Sequence, residues 1–292
     1  MTQDVTSGTT TSTQHLVRRR FKRSQPVDAF GGHAESDVFV LCYHAVSPTW
    51  KAALSVTPDA LESQLSALLR AGWHGTTFRE AVVRPPSRRT FAITFDDAFL
   101  SVLEHAYPVL TRLGLAATMF APTAFLSDDR RRLLWPGLAE WAETPEAFEL
   151  DSMSWENLRF LATHGWEIGS HTRTHPRLTQ LDDEALRSEL EASRQECIAN
   201  LGTDCDTIAY PYGDVDSRVA RATAASGYAA AAALSSSLAP KGLHRWPRIG
   251  IYHDDQMWRF RLKVDRTVRR IRATRMWRET RLTTPLSSID PA

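Results

Sequence analysis

Between residues 38 and 252, short apolar runs alternate with amphipathic runs, and this alternation restricts the fold more than any single residue does. Val38, Phe39, Val40, Leu41, Cys42 and Tyr43 form one unbroken apolar run, the pattern of a strand buried on both faces. Leu61, Leu65, Leu68 and Leu69 follow at helical spacing, with Thr57 and Pro58 as a start signal and Gly72 as a stop. The pattern then recurs. Strands are predicted over 91–95, 116–121, 166–170, 206–210 and 228–234, with a last extended segment over 246–252. Helices are predicted between 100 and 113, after Ser154, from about 183 to 201 and near 218–225. Residues 127–157 are less regular, suggesting an exposed turn at 128–132 and one or two short helices over 133–141. Roughly seven strands alternating with helices predict one α/β domain, a distorted parallel (β/α) barrel.

The chain of 292 residues, 42% hydrophobic and 24% charged, is long enough to bury such a core and has the composition of a soluble globular protein. A formal net charge of +1 gives no overall pull toward nucleic acid, and no nucleic-acid partner is expected. Cys42, Cys197 and Cys205 are too few and too scattered for a disulfide framework or a cysteine-based zinc site. Arg18, Arg19 and Arg20 imitate a twin-arginine export signal, but the residues after Arg23 are polar and turn-rich where an apolar segment should stand. With no membrane-spanning apolar stretch either, the expectation is a cytoplasmic protein. Residues 1–36 read as a disordered basic lead, 37–253 as the α/β domain, and 254–292 as a basic helix and tail.

Two short constellations carry the chemistry. The strand over 91–95 ends in adjacent carboxylates, Asp96 and Asp97, on a βα loop where parallel α/β folds place active groups. An acidic helix cap would also explain them. His171 and His175 follow another strand, and a pair of imidazoles can converge on one ion or be incidental. Their coincidence decides: both pairs fall just past strand ends, so the barrel brings them to one rim. Two imidazoles and one carboxylate leave an open metal position for water, and the second carboxylate is free to serve as a base.

The ordered motifs Thr94-Phe95-Asp96-Asp97, His171-Thr172-Arg173-Thr174-His175 and Tyr210-Pro211-Tyr212-Gly213 resemble those of the polysaccharide deacetylases, the NodB-homology group of carbohydrate esterase family 4. The likeness runs from about residue 38 to 251. It implies metal-dependent removal of acetyl groups from N-acetylated sugars, or in some branches from O-acetylated xylan. By resemblance Asp96 is the base, Asp97, His171 and His175 are ligands to a divalent metal (Zn2+, or else Co2+ or Ni2+), and the Tyr212 backbone N–H is an oxyanion donor. Tyr43 and Tyr210 are candidate substrate contacts. Two family features are missing. The arginine that usually holds the base is replaced by Ala209, and Arg248 is the candidate substitute. The late Leu-x-His motif that supplies the acid is absent around His244 and His253. In a closed barrel the first and last strands are neighbours, so His44, ending the first strand, is the candidate acid.

An O-acetyl esterase, another amide hydrolase and a catalytically silent glycan-binding module are the competing readings. Beyond residue 254, Met257, Phe260, Val264, Val268 and Ile271 recur as one apolar helical face, surrounded by Arg259, Lys263, Arg266, Arg269, Arg270 and further arginines. That stretch, 255–281, is a candidate for contact with an anionic membrane or a lipid-linked glycan.

Overall fold

The computed structural model describes residues 37–127 and 131–274. The basic lead, the tip of the expected turn at 128–132 and the end of the tail lie outside the described residues. In chain order the elements are β1 (Val38–Tyr43), β2 (Ala45–Val46), β3 (Ser55–Val56), α1 (Pro58–Arg70), β4 (His74–Thr76), α2 (Phe78–Val82) and β5 (Thr90–Phe95). A π-helical stretch, Val102–Ala106, leads into α3 (Tyr107–Arg112), β6 (Thr118–Ala121), α4 (Trp155–Thr163) and β7 (Glu167–Ser170). Then come α5 (Asp183–Leu201), β8 (Thr207–Ala209), α6 (Ser217–Ala225), β9 (Ala230–Ala233), β10 (Trp246–Pro247), β11 (Ile249–Gly250), α7 (Met257–Val264) and α8 (Arg266–Arg272).

Nine strands form one parallel sheet in the order β10-β9-β8-β7-β6-β5-β1-β11, with β4 added beside β5. The two ends of that path, β10 and β11, are separated in sequence by Arg248 alone. Trp246 and Pro247 pair with β9, Ile249 and Gly250 pair with β1, and the Arg248 N–H still donates to Ala233 at 3.0 Å. One broken stave therefore spans the seam, and the sheet becomes a nearly closed barrel of the expected type.

Alternation along β1 sorts its side chains into two layers. Phe39, Leu41 and Tyr43 join the core beneath the helices, with Leu61 and Leu65 of α1, while Val38 and Val40 pack with Phe120, Ala209, Ala230 and Ala232 inside the barrel. The interior is tight: a Cβ on Gly169 would lie 2.6 Å from the Phe120 ring.

Three local expectations change. The helix before Gly114 is π-helical in its first part, because Pro108 has no N–H to donate to residue 104 and the ladder must shift around it. Over 133–141 the structure has only a 3-10 turn, Ala139–Trp141, within a loop tied back by Leu133 N–H to Leu150 (2.9 Å) and Ser152 N–H to Arg131 (3.0 Å). The basic C-terminal helix is broken in two at Asp265, whose carboxylate accepts from the N–H groups of Thr267 and Val268 and so starts α8. The break rotates the second half: Ile271 is half exposed and Arg269 is buried, the reverse of the expected faces.

Candidate active site

The C-terminal ends of the strands gather the site. β5 delivers Asp96 and Asp97, β7 delivers His171 and His175, β1 delivers His44, and the turn after β8 delivers Tyr212. All of these except Tyr212 are buried. The Oδ1 atom of Asp97 lies 3.3 Å from Nε2 of His171 and 3.3 Å from Nε2 of His175. Yet Asp97 Oδ1 has no directed hydrogen bond, so three buried lone-pair donors face one another across a common point. His171 is oriented from behind: its Nδ1 donates to the Ala209 carbonyl at 2.8 Å, which fixes the tautomer and leaves Nε2 free as a ligand. His175 is held between Trp135, stacked at 3.9 Å and 18°, and Tyr212, edge-on at 4.8 Å. This donor set fits a divalent metal: two neutral imidazoles and one carboxylate, converging with a position left over.

Asp96 is held differently. Arg248 forks onto it, Nη1 to Oδ1 at 2.6 Å and Nη2 to Oδ2 at 2.7 Å, and Nη1 also reaches Thr94 Oγ1 at 3.1 Å. The Cys42 thiol lies 3.6 Å from Oδ2. Burial pushes the Asp96 carboxyl up, the Arg248 charge pulls it further down, and the net result is a lowered pKa. Arg248, the candidate substitute for the arginine missing at Ala209, reaches Asp96 from the broken stave. His44 sits on the same side of β1 as Cys42, and with Asp96 their polar atoms lie within 4.8 Å of one another. Burial lowers the His44 pKa, against the raising effect of Asp97 and Asp96. His244 and His253 are occupied by the carbonyls of Tyr228 and Ser55, away from this cluster.

Backbone strain concentrates here. Asp97, Ala98, Thr172, His175 and Tyr212 all have φ between 56° and 72°, a region that disfavours side chains, and they are the non-glycine residues that do so among the described residues. At Gly213, beside Tyr212, a Cβ would meet the Leu234 carbonyl at 2.4 Å, so the turn needs glycine.

Tyr43 and Tyr210, the candidate substrate contacts, are both fully buried, and their hydroxyls donate to Gln64 Oε1 (2.9 Å) and to the His244 carbonyl (2.8 Å). If His44 faces the site, alternation turns Tyr43 into the helix layer, a signal that was present in the sequence. Trp135 received no role from the sequence, because its contact with His175 depends on how an irregular loop packs, which no periodicity encodes.

Comparisons with known proteins find relatives in both sequence and fold. A profile described as polysaccharide deacetylase matches residues 83–231, just over half the chain. Bacillus subtilis YxkH, whose name carries a provisional polysaccharide deacetylase assignment, is 26% identical over 65% of this chain and 61% of its own length. A Staphylococcus aureus poly-beta-1,6-N-acetyl-D-glucosamine N-deacetylase is 24% identical over 54% of each chain. The chain thus spans little more than half the length of these relatives. Among solved structures, the Streptococcus pyogenes deacetylase PplD aligns with TM-score 0.63 at 22% identity, covering 78% of this chain and 98% of that one. A Bacillus cereus polysaccharide deacetylase aligns with TM-score 0.64 at 22% identity, covering 78% and 69%. These two show the fold. From the profile match, the chain belongs to the polysaccharide deacetylase family.

Proposed function

We propose that the chain hydrolyses N-acetyl groups on a carbohydrate, with a divalent metal held by Asp97, His171 and His175. The observation carrying this reading is Asp97 Oδ1, buried, without a hydrogen-bond partner, and equidistant from two imidazole nitrogens. A bound ion, Zn2+ by its donor set or else Co2+ or Ni2+, would polarise the acetyl carbonyl and acidify a water. Asp96, kept ionised and fixed in its plane by Arg248, takes the proton from the attacking water. The Tyr212 N–H donates to the oxygen on which charge develops. His44 returns a proton to the departing amine, so that the sugar leaves neutral. A catalytically silent glycan-binding module would have no use for a buried arginine fork on a carboxylate beside an ion site.

The named relatives make polymers of N-acetylglucosamine the first substrates to try. The experiment is acetate release from a panel of N-acetylated and O-acetylated glycans, before and after chelation and after metal add-back. Release from N-acetylated glycans, lost on chelation and restored by a divalent metal, is expected. Release only from O-acetylated xylan, or release indifferent to complete chelation, would overturn the proposal.

A further inference from the structure

The two C-terminal helices carry a surface that the reaction does not use. Between residues 257 and 274 there are seven arginines and lysines against one acid, Asp265. Phe260 supplies the inward face of α7 and is buried. Trp258 and Leu262, two residues to either side of it, project from nearly the opposite face, since two residues advance a helix by about 200°. They are 62% and 52% exposed, four positions apart, and so form one stripe. A surface helix ordinarily turns such residues inward; here that place is taken. Arg259 and Arg261 flank the stripe on its two sides, and Arg270 follows on α8; all three are exposed. No carboxylate among the described residues pairs with them, whereas Lys263 and Arg269 are paired with Asp255 and Asp37.

We propose that this face of α7 and α8 docks on an anionic lipid bilayer. Trp258 and Leu262 enter the headgroup boundary, and the flanking arginines extend to lipid phosphates. The aliphatic member of the stripe favours a bilayer over a polyanionic glycan, which could stack on an indole but gives a leucine nothing. Asp255, three residues before Trp258, accepts through its carbonyl from Gln64, which in turn accepts from Tyr43 at the end of β1. The stripe therefore starts on the flank near the site end of the barrel, and α8 continues from it toward the strand starts, where Arg269 meets Asp37. This inference does not depend on the reaction assigned to the site.

The test is co-sedimentation of the full chain with vesicles of phosphatidylcholine alone or of phosphatidylcholine mixed with phosphatidylglycerol, at low and high salt, with heparin beads as a second probe. Binding to the anionic vesicles should exceed binding to neutral ones by roughly tenfold and fall with salt. The double variant Trp258→Ser/Leu262→Ser should lose several-fold of that binding, with its circular dichroism and thermal midpoint unchanged. Equal sedimentation of the variant and the wild type, no preference for anionic vesicles, or capture by heparin without capture by vesicles would each overturn the proposal.

Discussion

Where the barrel strands begin, Asp37 gives both carboxylate oxygens to Arg269, at 2.9 and 2.6 Å; where they end, Asp97 Oδ1, His175 Nδ1, His44 Nδ1 and Arg248 Nε are buried without a hydrogen-bond partner. The first end repeats its habit at Glu167, whose oxygens accept from Thr118, from Thr207 and from the Arg79 N–H. The second end also holds the left-handed non-glycine residues. An unsatisfied buried polar group costs on the order of 1–3 kcal/mol, and a left-handed side-chain residue costs about 1–2 kcal/mol more. The first end thus pairs most of its polar groups, Arg194 Nε beside Asp206 being an exception, whereas the second combines unpartnered lone pairs with strained loops.

The largest expected effect tests that contrast at the site. Asp96→Asn should lower kcat/KM by roughly 10²–10⁴ while leaving metal stoichiometry intact; Asp97→Asn should lower both. His44→Ala should behave like Asp96→Asn, and retained turnover would remove His44 from the mechanism. Next comes the opposite end. Arg269→Met leaves the Asp37 carboxylate with only the half-exposed Arg266, at 3.6 Å, and should cost about 3 kcal/mol in urea unfolding, with turnover per folded molecule unchanged. Loss of turnover without loss of stability would erase the distinction between the ends.

A smaller effect is pH-dependent. Burial holds the Glu167 pKa above its ordinary value of 4.5, against the lowering by its hydrogen-bond donors. The folded state then keeps a proton that the unfolded state has lost. The contribution to stability is full below the ordinary value and is lost as pH rises through the raised one. Glu167→Gln should flatten that decline, seen by comparing unfolding midpoints at acidic and mildly alkaline pH. Least of all, Ala98→Gly relieves one left-handed residue and should add ~0.5–1 kcal/mol of stability with turnover unchanged.

Much of this arrangement was legible in the residues. Period-two and helical spacings give the order of strands and helices, and the rule that βα loops share one rim joins Asp96 and Asp97 to His171 and His175 from sequence alone. Other features depend on long-range geometry. The fork of Arg248 requires a strand that changes partner at that residue; Pro247, which cannot donate to a ladder, marks an interruption there but not which strands the segment joins. The break at Asp265 was obscured because apolar residues keep helical spacing on both sides of it. Arg269 looked like one more surface cation because its partner, Asp37, is 232 positions away.

The broken stave also links assembly to competence. The segment around Arg248 closes the seam between β9 and β1 and, in the same movement, brings the guanidinium to Asp96. A chain ending before Trp246 would still contain every proposed metal ligand, but Asp96 would have no cation to fix it. The ion site can therefore precede closure, whereas the fixed carboxylate cannot. On the proposed reading, a molecule with an open seam would keep its three candidate ligands and lack the cation that fixes the base.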